Sequence, residues 1–451
     1  MDRLFGTDGV RGVANTELTP DLAFRLGYAG ANVLAVNTNK KPSILIGMDT
    51  RISCKMLEAA LVAGICSAGA DAILCGVLPT PAIAYLTGKY KCDAGVMISA
   101  SHNSFEYNGI KFFSGNGFKL SDDIEDEIER RVKEYDVFSK SRPSGEEVGT
   151  AYFRDEASHQ YVEHLKRRMS VDLSGMRIAI DCANGAASYI APGLFEDLGA
   201  TVVVIGNKPN GMNINKNCGS THLEALQNIV VAEKCDLGLA FDGDADRLLA
   251  VDDNGITVDG DKILSVIAMD MKENGELKSD TLVVTVMSNL GLDIMAKKNK
   301  MLLEKTKVGD RYVLERMIEK DLNVGGEQSG HVILLDHAST GDGILTALAL
   351  LQALYRKKCT LSTATEIIHI LPQVLLSAKV KNEDKKKAME LTELTEAIAK
   401  YEKVLDGKGR ILVRASGTEP IIRVMIEGEN EDEISLMARA LVTIIQTKLI
   451  V

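Results

Sequence analysis

The stretch S-I-L-I-G-M-D-T-R, residues 43–51, is a short apolar run rich in strand-forming side chains that closes on polar turn residues, with helical spacing behind it. The same order returns at R-I-A-I-D-C-A-N-G-A (177–186) and at T-L-V-V-T-V-M-S-N-L-G (281–291). Strand, turn and helix in that order mark units of a parallel sheet, so the chain is expected to hold three α/β domains of related plan. Charged, turn-rich stretches separate them: K-S-R-P-S-G-E-E-V-G-T (140–150), D-D-N-G (252–255) and the region around Leu371 and Pro372. The expected domains span residues 1–150, 151–254, 255–371 and 372–451.

The last segment departs from the pattern. It reads as a strand (373–380), a charged helix from about Asp384, a strand pair (410–414 and 421–427), and a helix with Ile434, Met437, Leu441 and Ile444 at helical spacing. Asn430 followed by Glu433 predicts a capping box at its start. This is the pattern of a small α+β domain.

With 451 residues the chain is long enough for several domains. Its net charge of −11 argues against a nucleic-acid or membrane-surface partner, whose phosphates demand basic faces. The eight cysteines are scattered with no C-x-x-C pair, which reads as buried thiols in a reducing compartment. No basic leader or long apolar span is present, so a cytoplasmic location is expected.

Five stretches carry chemistry. In A-F-D-G-D-A-D-R (240–247), Asp242, Asp244 and Asp246 alternate, so an extended chain turns all three carboxylates to one side. Two carboxylates about 4 Å apart repel by roughly 4 kcal/mol at an effective dielectric near 20, and a cation is expected between them. The loop follows the apolar run L-G-L-A-F, at the carboxyl end of a strand where open α/β sheets bind ligands. Three monodentate carboxylates suit Mg²⁺. An EF-hand is excluded, because Arg247 and Asp253 stand where its glycine and bidentate glutamate belong.

The second stretch, V-M-I-S-A-S-H-N-S-F-E-Y-N-G-I-K-F-F (96–113), ends a strand in Ser99, Ser101, His102 and Asn103, and a Y-N-G turn leads to a second strand bearing Lys111. A serine hydroxyl needs a base, a metal or a prior charge to react, and no G-x-S-x-G elbow is present to suggest acyl transfer. A plain β-hairpin with Asn-Gly in its turn is the bland alternative. Third, R-A-S-G-T-E-P-I-I-R (414–423) sets Arg414 and Arg423 around Ser416, Gly417 and Thr418, a local reversal of charge suited to phosphate. Fourth, G-G-E-Q-S-G-H (325–331) offers Glu327 and Ser329 at sugar-hydroxyl reach, with His331 able to move a proton near neutrality. Fifth, the glycines of F-G-T-D-G-V-R-G (5–12) allow close approach to an anion that Arg11 can help hold.

In this order, S-A-S-H-N (99–103), D-G-D-A-D-R (242–247), G-E-Q-S-G-H (326–331) and R-A-S-G-T-E-P (414–420) make the sequence resemble the α-D-phosphohexomutase superfamily, and within it the branch acting on glucosamine phosphates. The resemblance implies three related α/β domains with mixed sheets plus a smaller C-terminal α+β domain, all four around a central cleft. It implies Ser101 rather than Ser99 as the phosphoserine, and Mg²⁺ held by Asp242, Asp244, Asp246 and the phosphate on Ser101. It further implies interconversion of glucosamine 6-phosphate and glucosamine 1-phosphate through a 1,6-bisphosphate that also serves as activator, a reaction that feeds UDP-N-acetylglucosamine and cell-wall precursor synthesis. By the same matching, Ser101, His102, Lys111 and His331 are catalytic. Arg11, Arg247, Glu327, Ser329, Arg414, Ser416, Gly417, Thr418 and Arg423 bind substrate, and residues 308–311 contribute less. The expected partner is a sugar phosphate, with a homodimer expected by analogy alone.

One departure stands out, because many members of the superfamily place proline after S-H-N where Ser104 stands here. Loss of the fixed φ is expected to loosen the loop and to leave the reacting groups in place. The rival readings are a phosphomannomutase or phosphoglucomutase of the same superfamily, an aspartyl-phosphate phosphatase, which would place Thr or Val where Asp246 stands, and a non-catalytic metal and sugar-phosphate binder.

Overall fold

The computed structural model describes residues 3–6, 8–34, 40–169, 171–416 and 420–448. Two compact units emerge, one of Met1–Met287 with Leu302–Glu366 and one of Ser288–Met301 with Ile367–Val451.

The larger unit contains three sheets, each built around the same four-strand core. In the first, parallel strands Asp71–Val77, Ser43–Met48 and Ala94–Ile98 lie side by side, and Tyr107–Ser114 returns antiparallel beside the last. The second repeats this with Thr201–Ile205, Arg177–Asp181 and Leu237–Phe241, followed by antiparallel Leu248–Val251. The third repeats it again with Leu302–Thr306, Thr281–Thr285 and Val324–Gly326, then antiparallel Val332–Leu334. Three sheets with one strand order realise the three related α/β plans expected from the recurring runs. The added antiparallel strand makes each sheet mixed.

The strands form where the sequence offers continuous apolar runs, as a strand covered on both faces requires. Residues 44–48, 94–98 and 237–241 are buried throughout. Edges are completed by Val10–Val13 and Ala151–Phe153 on the first sheet and by Thr257–Val258 on the second. That last strand lies beyond residue 254 yet still pairs with the second sheet.

One expectation fails here. Tyr107, Asn108 and Gly109 form no turn, because they pair as strand with Val13, Gly12 and Arg11. The ladder claims their backbone groups, and the Asn108 side chain is buried against Ser53 Oγ (2.9 Å). Gly109 meets a packing demand rather than a turn, since a Cβ there would stand 2.5 Å from Ser99 O. The connection from Ile98 runs instead through residues 99–106, where the serines lie.

In the smaller unit, Ile421–Glu427 is the middle of a three-stranded antiparallel sheet between Gln373–Lys379 and Arg410–Ala415. Helices Thr392–Leu405 and Glu431–Lys448 accompany it, and Ile434, Met437, Leu441 and Ile445 join its core. Asn430 Oδ1 accepts from the N–H groups of Asp432 and Glu433, the forward half of the expected capping box. Glu427 is fully buried and accepts from Arg410 (2.6 Å), Gln373 (2.7 Å) and the N–H of Leu290 (3.0 Å). No two cysteines are bonded, and no helix among the described residues is long and apolar enough to cross a membrane.

Candidate active site

In each sheet of the larger unit, the loop joining the third parallel strand to its antiparallel neighbour carries one of the chemistry-bearing motifs. These are residues 99–106 in the first, 242–247 in the second and 327–331 in the third. The repeat therefore places three different loops at equivalent corners, at the carboxyl ends of parallel strands.

The aspartate loop is gripped by backbone hydrogen bonds from all three folds. Asp244 O accepts from Thr80 N (2.9 Å), Gly243 O from Ala186 N (2.9 Å) and Ala245 O from Gly343 N (3.0 Å). Ala245 is turned to φ +55°, which helps the three aspartates converge. Their carboxylate oxygens lie within 4.8 Å of one another, and all three residues are buried.

Ser101 stands at the edge of this cluster, and its Oγ donates to Asp242 Oδ2 at 2.6 Å. Its backbone has φ +52°, an unfavourable left-handed conformation for a serine that needs outside support. Ser101 N donates to Ser99 Oγ (2.9 Å), which in turn donates to Asp49 (2.6 Å). Ser101 O accepts from Arg51 and from Asn215, both at 2.9 Å. Arg51 also holds the carbonyls of Asn103 and Ser104 while paired with Asp49 at 3.0 Å. Ser99 thus acts on the backbone of Ser101, and Ser104 is held through a carbonyl that proline would also offer.

Lys111 is 3 % exposed and lies 2.8 Å from Asp244, 2.9 Å from Asp8 and 3.8 Å from Asp246. Burial disfavours its charge, but Asp244 and then Asp8 outweigh that and raise its pKa. His331 Nδ1 lies 3.6 Å from Asp246, and its Nε2 accepts from Gly341 N at 3.1 Å. Only glycine fits at 341, because a Cβ would come within 2.4 Å of the imidazole. Burial drives the Asp242 carboxyl well above the ordinary range, with Asp246 and Asp244 adding to it. Burial pushes Asp246 the same way, but Lys111 and then His331 reverse the shift and hold it low. His102, with Nδ1 3.3 Å from Ser101 Oγ, is pushed down to about 4 by burial and then by Arg247 and Arg11, so it is neutral at pH 7.

Arg247 lies beside Asp246, while Arg11 pairs with Asp8. Glu327 accepts from Gly309 N (3.0 Å), and Ser329 is exposed on its turn. Within the smaller unit, Arg414 and Arg423 face each other across the strand pair. Burial and then the Arg423 charge lower the Arg414 pKa, so this pair favours an anion. Ser416 is buried there, whereas Gly417 and Thr418 lie outside the described residues.

Asp8, Asp49, Arg51, Thr80, Lys119 and Asn215 were not anticipated as parts of this site, whereas Asp310 falls in the expected stretch 308–311. D-T-R (49–51) closes the very run that indicates the fold, and a buried Asp-x-Arg after a strand is the signal that could have found two of them.

The cluster fits a dication. Asp244 Oδ2 is occupied by Thr80 Oγ1 (2.6 Å) and Lys111, while Asp244 Oδ1 and Asp246 Oδ1 are buried and accept no hydrogen bond. Buried carboxylate oxygens without donors cost free energy unless a cation takes them.

A buried serine set against such a triad, on three repeated mixed α/β folds followed by a small α+β fold, defines an enzyme of the phosphohexomutase class. The chain belongs to the phosphoglucomutase/phosphomannomutase family: models of its alpha/beta/alpha domains I, II and III match residues 2–138, 159–255 and 259–371, and that of its C-terminal domain matches residues 375–444. It is 55 % identical over 448 residues to the phosphoglucosamine mutase of Clostridium acetobutylicum, covering 99 % of this chain and 100 % of that protein. It is 53 % identical over 450 residues to that of Acetivibrio thermocellus, covering 100 % of both. Among solved structures, a phosphoglucomutase/phosphomannomutase family protein from Burkholderia thailandensis shares the fold with TM-score 0.79 at 22 % identity, covering 98 % of each chain. Aspergillus fumigatus N-acetylphosphoglucosamine mutase, solved with GlcNAc-6P and magnesium, superposes with TM-score 0.71 at 18 % identity, covering 99 % of this chain and 96 % of that one.

Proposed function

We propose that this enzyme interconverts glucosamine 6-phosphate and glucosamine 1-phosphate through a phosphorylated Ser101 and a glucosamine 1,6-bisphosphate intermediate. The observation that carries the reading is the 2.6 Å contact between Ser101 Oγ and Asp242 at the rim of a carboxylate cluster with two buried oxygens that accept no hydrogen bond. Full-length identity above half to phosphoglucosamine mutases supports the choice of sugar.

Asp242, Asp244 and Asp246 would hold Mg²⁺ together with the Ser101 phosphate, and the ion would supply positive charge to neutralise the group in transit. In the first half-reaction the bond from phosphorus to Ser101 Oγ breaks as one to the sugar O1 forms. Lys111, kept charged by Asp244 and Asp8, is suited to give a proton to the departing Oγ and to take up the hydroxyl proton, leaving the site's proton count unchanged. His331 is the second group assigned to proton movement, and neutral His102 orients Ser101. The bisphosphate then reverses, and its 6-phosphoryl group returns to Ser101 Oγ.

Arg247 and Arg11 are assigned to the phosphoryl group, Glu327 and Ser329 to the sugar hydroxyls, and Arg414, Ser416, Gly417, Thr418 and Arg423 to the non-reacting phosphate. We assign the enzyme to the cytoplasm, with four domains near the boundaries expected from sequence but with Ala151–Phe153 kept with the first and Thr257–Val258 with the second, and take a homodimer as its assembly.

The test is a mutase assay primed with the bisphosphate and Mg²⁺. Ser101→Ala is expected to lose at least a hundredfold in kcat, within the range removed with a covalent nucleophile, and near-equal rates would remove Ser101 from the reaction. The family description also favours a second reading, with glucose or mannose phosphate as substrate. Comparison of kcat/KM for the three sugar 6-phosphates decides between them.

A further inference from the structure

Lys111 and His331 reach the aspartate cluster from two different sheets, and a second path outside the cluster also connects them. From Lys111 the path passes to Asp8 (2.9 Å), then from Asp8 to Lys119 (2.7 Å). Lys119 is paired with Asp310, and Asp310 lies 3.5 Å from His331 Nε2. His331 and Lys111 each meet Asp246, so the path closes into a ring of alternating acidic and basic residues, in which the Asp310–His331 step is a contact and not a hydrogen bond because Nε2 accepts from Gly341 N. Asp310 opens the helix Asp310–Glu319, and its neighbour Gly309 donates to Glu327 on the sugar loop.

Resting on the function proposed above, we propose that Asp8, Lys119 and Asp310 are positioning residues that hold Lys111 and His331 in register with the aspartate cluster. None of the three touches the aspartates that would hold the metal. Their side chains are 15–19 % exposed, so their charges are largely removed from water, which costs stability that ion pairing alone repays poorly. What the arrangement does secure is geometry. Lysine has a flexible stem with three rotatable donors, and a single carboxylate partner leaves its head free to swing. Asp8 gives Lys111 a second close carboxylate besides Asp244, and Lys119 pairs with both Asp8 and Asp310. A contact made by residues of the first fold thereby sets the position of an imidazole in the third.

The test uses the full-length enzyme with Lys119→Met, Lys119→Arg and the near-isosteric Asp310→Asn, measured for kcat, KM and Tm and compared as crystal structures in one crystal form. Displacements near 1 Å at reacting groups cost on the order of a hundredfold in rate, so Lys119→Met and Asp310→Asn are expected to lose roughly 10- to 100-fold in kcat with KM within about threefold. Lys119→Arg, which keeps the charge, is expected to recover most of that loss. The crystals are expected to show Lys111 Nζ and the His331 ring displaced in Lys119→Met.

Three results would overturn the proposal: a Lys119→Met enzyme within twofold of wild type, an arginine variant as slow as the methionine variant with Tm lowered alike, or Lys111 and His331 unmoved in the crystals. If Lys119→Met fails to fold, Asp310→Asn carries the same comparison. A wild-type enzyme without mutase turnover would refute the proposed function, and the crystal comparison would still decide the positioning role.

Discussion

Ser101 is held in a conformation that serine avoids, and the groups that hold it come from far along the chain. Arg51 is 50 residues away and Asn215 is 114 away, yet both donate to the same carbonyl. Asn215→Ala removes one of these donors without breaking the buried Arg51–Asp49 pair. It is expected to lower kcat at least about tenfold with KM little changed, because misplaced reacting groups cost orders of magnitude; steady-state kinetics of the variant checks this. His164 provides a pH test away from the reacting groups. It stacks on Tyr85 at 3.8 Å, and burial and then Arg168 push it down to about 4 from 6.5. The folded state therefore gains from neutral His164 above pH 6.5 and loses that gain as pH falls towards 4. His164→Gln is expected to flatten the fall in unfolding free energy between pH 6.5 and 4, and an unchanged slope would contradict the assignment. The aspartate string and the serine string were legible as stretches because unusual polar residues follow apolar strands, whereas the choice of Ser101 over Ser99 rested on resemblance alone. Thr80 was not legible, since nothing local marks a threonine whose partner lies 164 residues on.

The recurring strand order explains why the motifs meet. Three hairpin connections occupy the same corner of three copies of one plan, so a run such as L-G-L-A-F announces both a strand and the loop that follows it. The misread Y-N-G shows where this reasoning stops. Asn-Gly is a turn signal only when the flanking strands pair with each other, and here Val10–Val13 captures those residues into a ladder that local sequence does not reveal. Elsewhere a single buried carboxylate organises an element. Glu427 ties the strand Ile421–Glu427 to Arg410, Gln373 and the start of the helix Leu290–Lys298. Glu427→Ala strands the Arg410 cation, and loss of one partner from a buried pair costs about 3–5 kcal/mol. Denaturant unfolding followed by a probe in residues 367–451 is expected to show that loss.

For the molecule as a whole, the carboxylate cluster is built to accept a dication, and the proposed ion is Mg²⁺. Mg²⁺ at 100 times its Kd is expected to stabilise the part that holds it by about 2.7 kcal/mol, seen as an upward shift in thermal unfolding. Asp244→Asn is expected to abolish the shift, and an equal shift in that variant would place the ion elsewhere. Chain length and the recurring runs indicated several α/β folds and a different last segment. The alternating charges that join the folds stayed hidden, because residues 8, 119, 310 and 331 are brought together only by tertiary structure. The most direct measurement is peptide mass spectrometry of the enzyme after brief incubation with glucosamine 1,6-bisphosphate and Mg²⁺. The phosphate is expected on Ser101, to be replaced by labelled phosphate when glucosamine 6-phosphate carrying an isotope-labelled phosphoryl group is turned over, and to be absent from Ser101→Ala. Phosphate on Asp242, or an unmodified Ser101 in an enzyme that turns over, would contradict the mechanism.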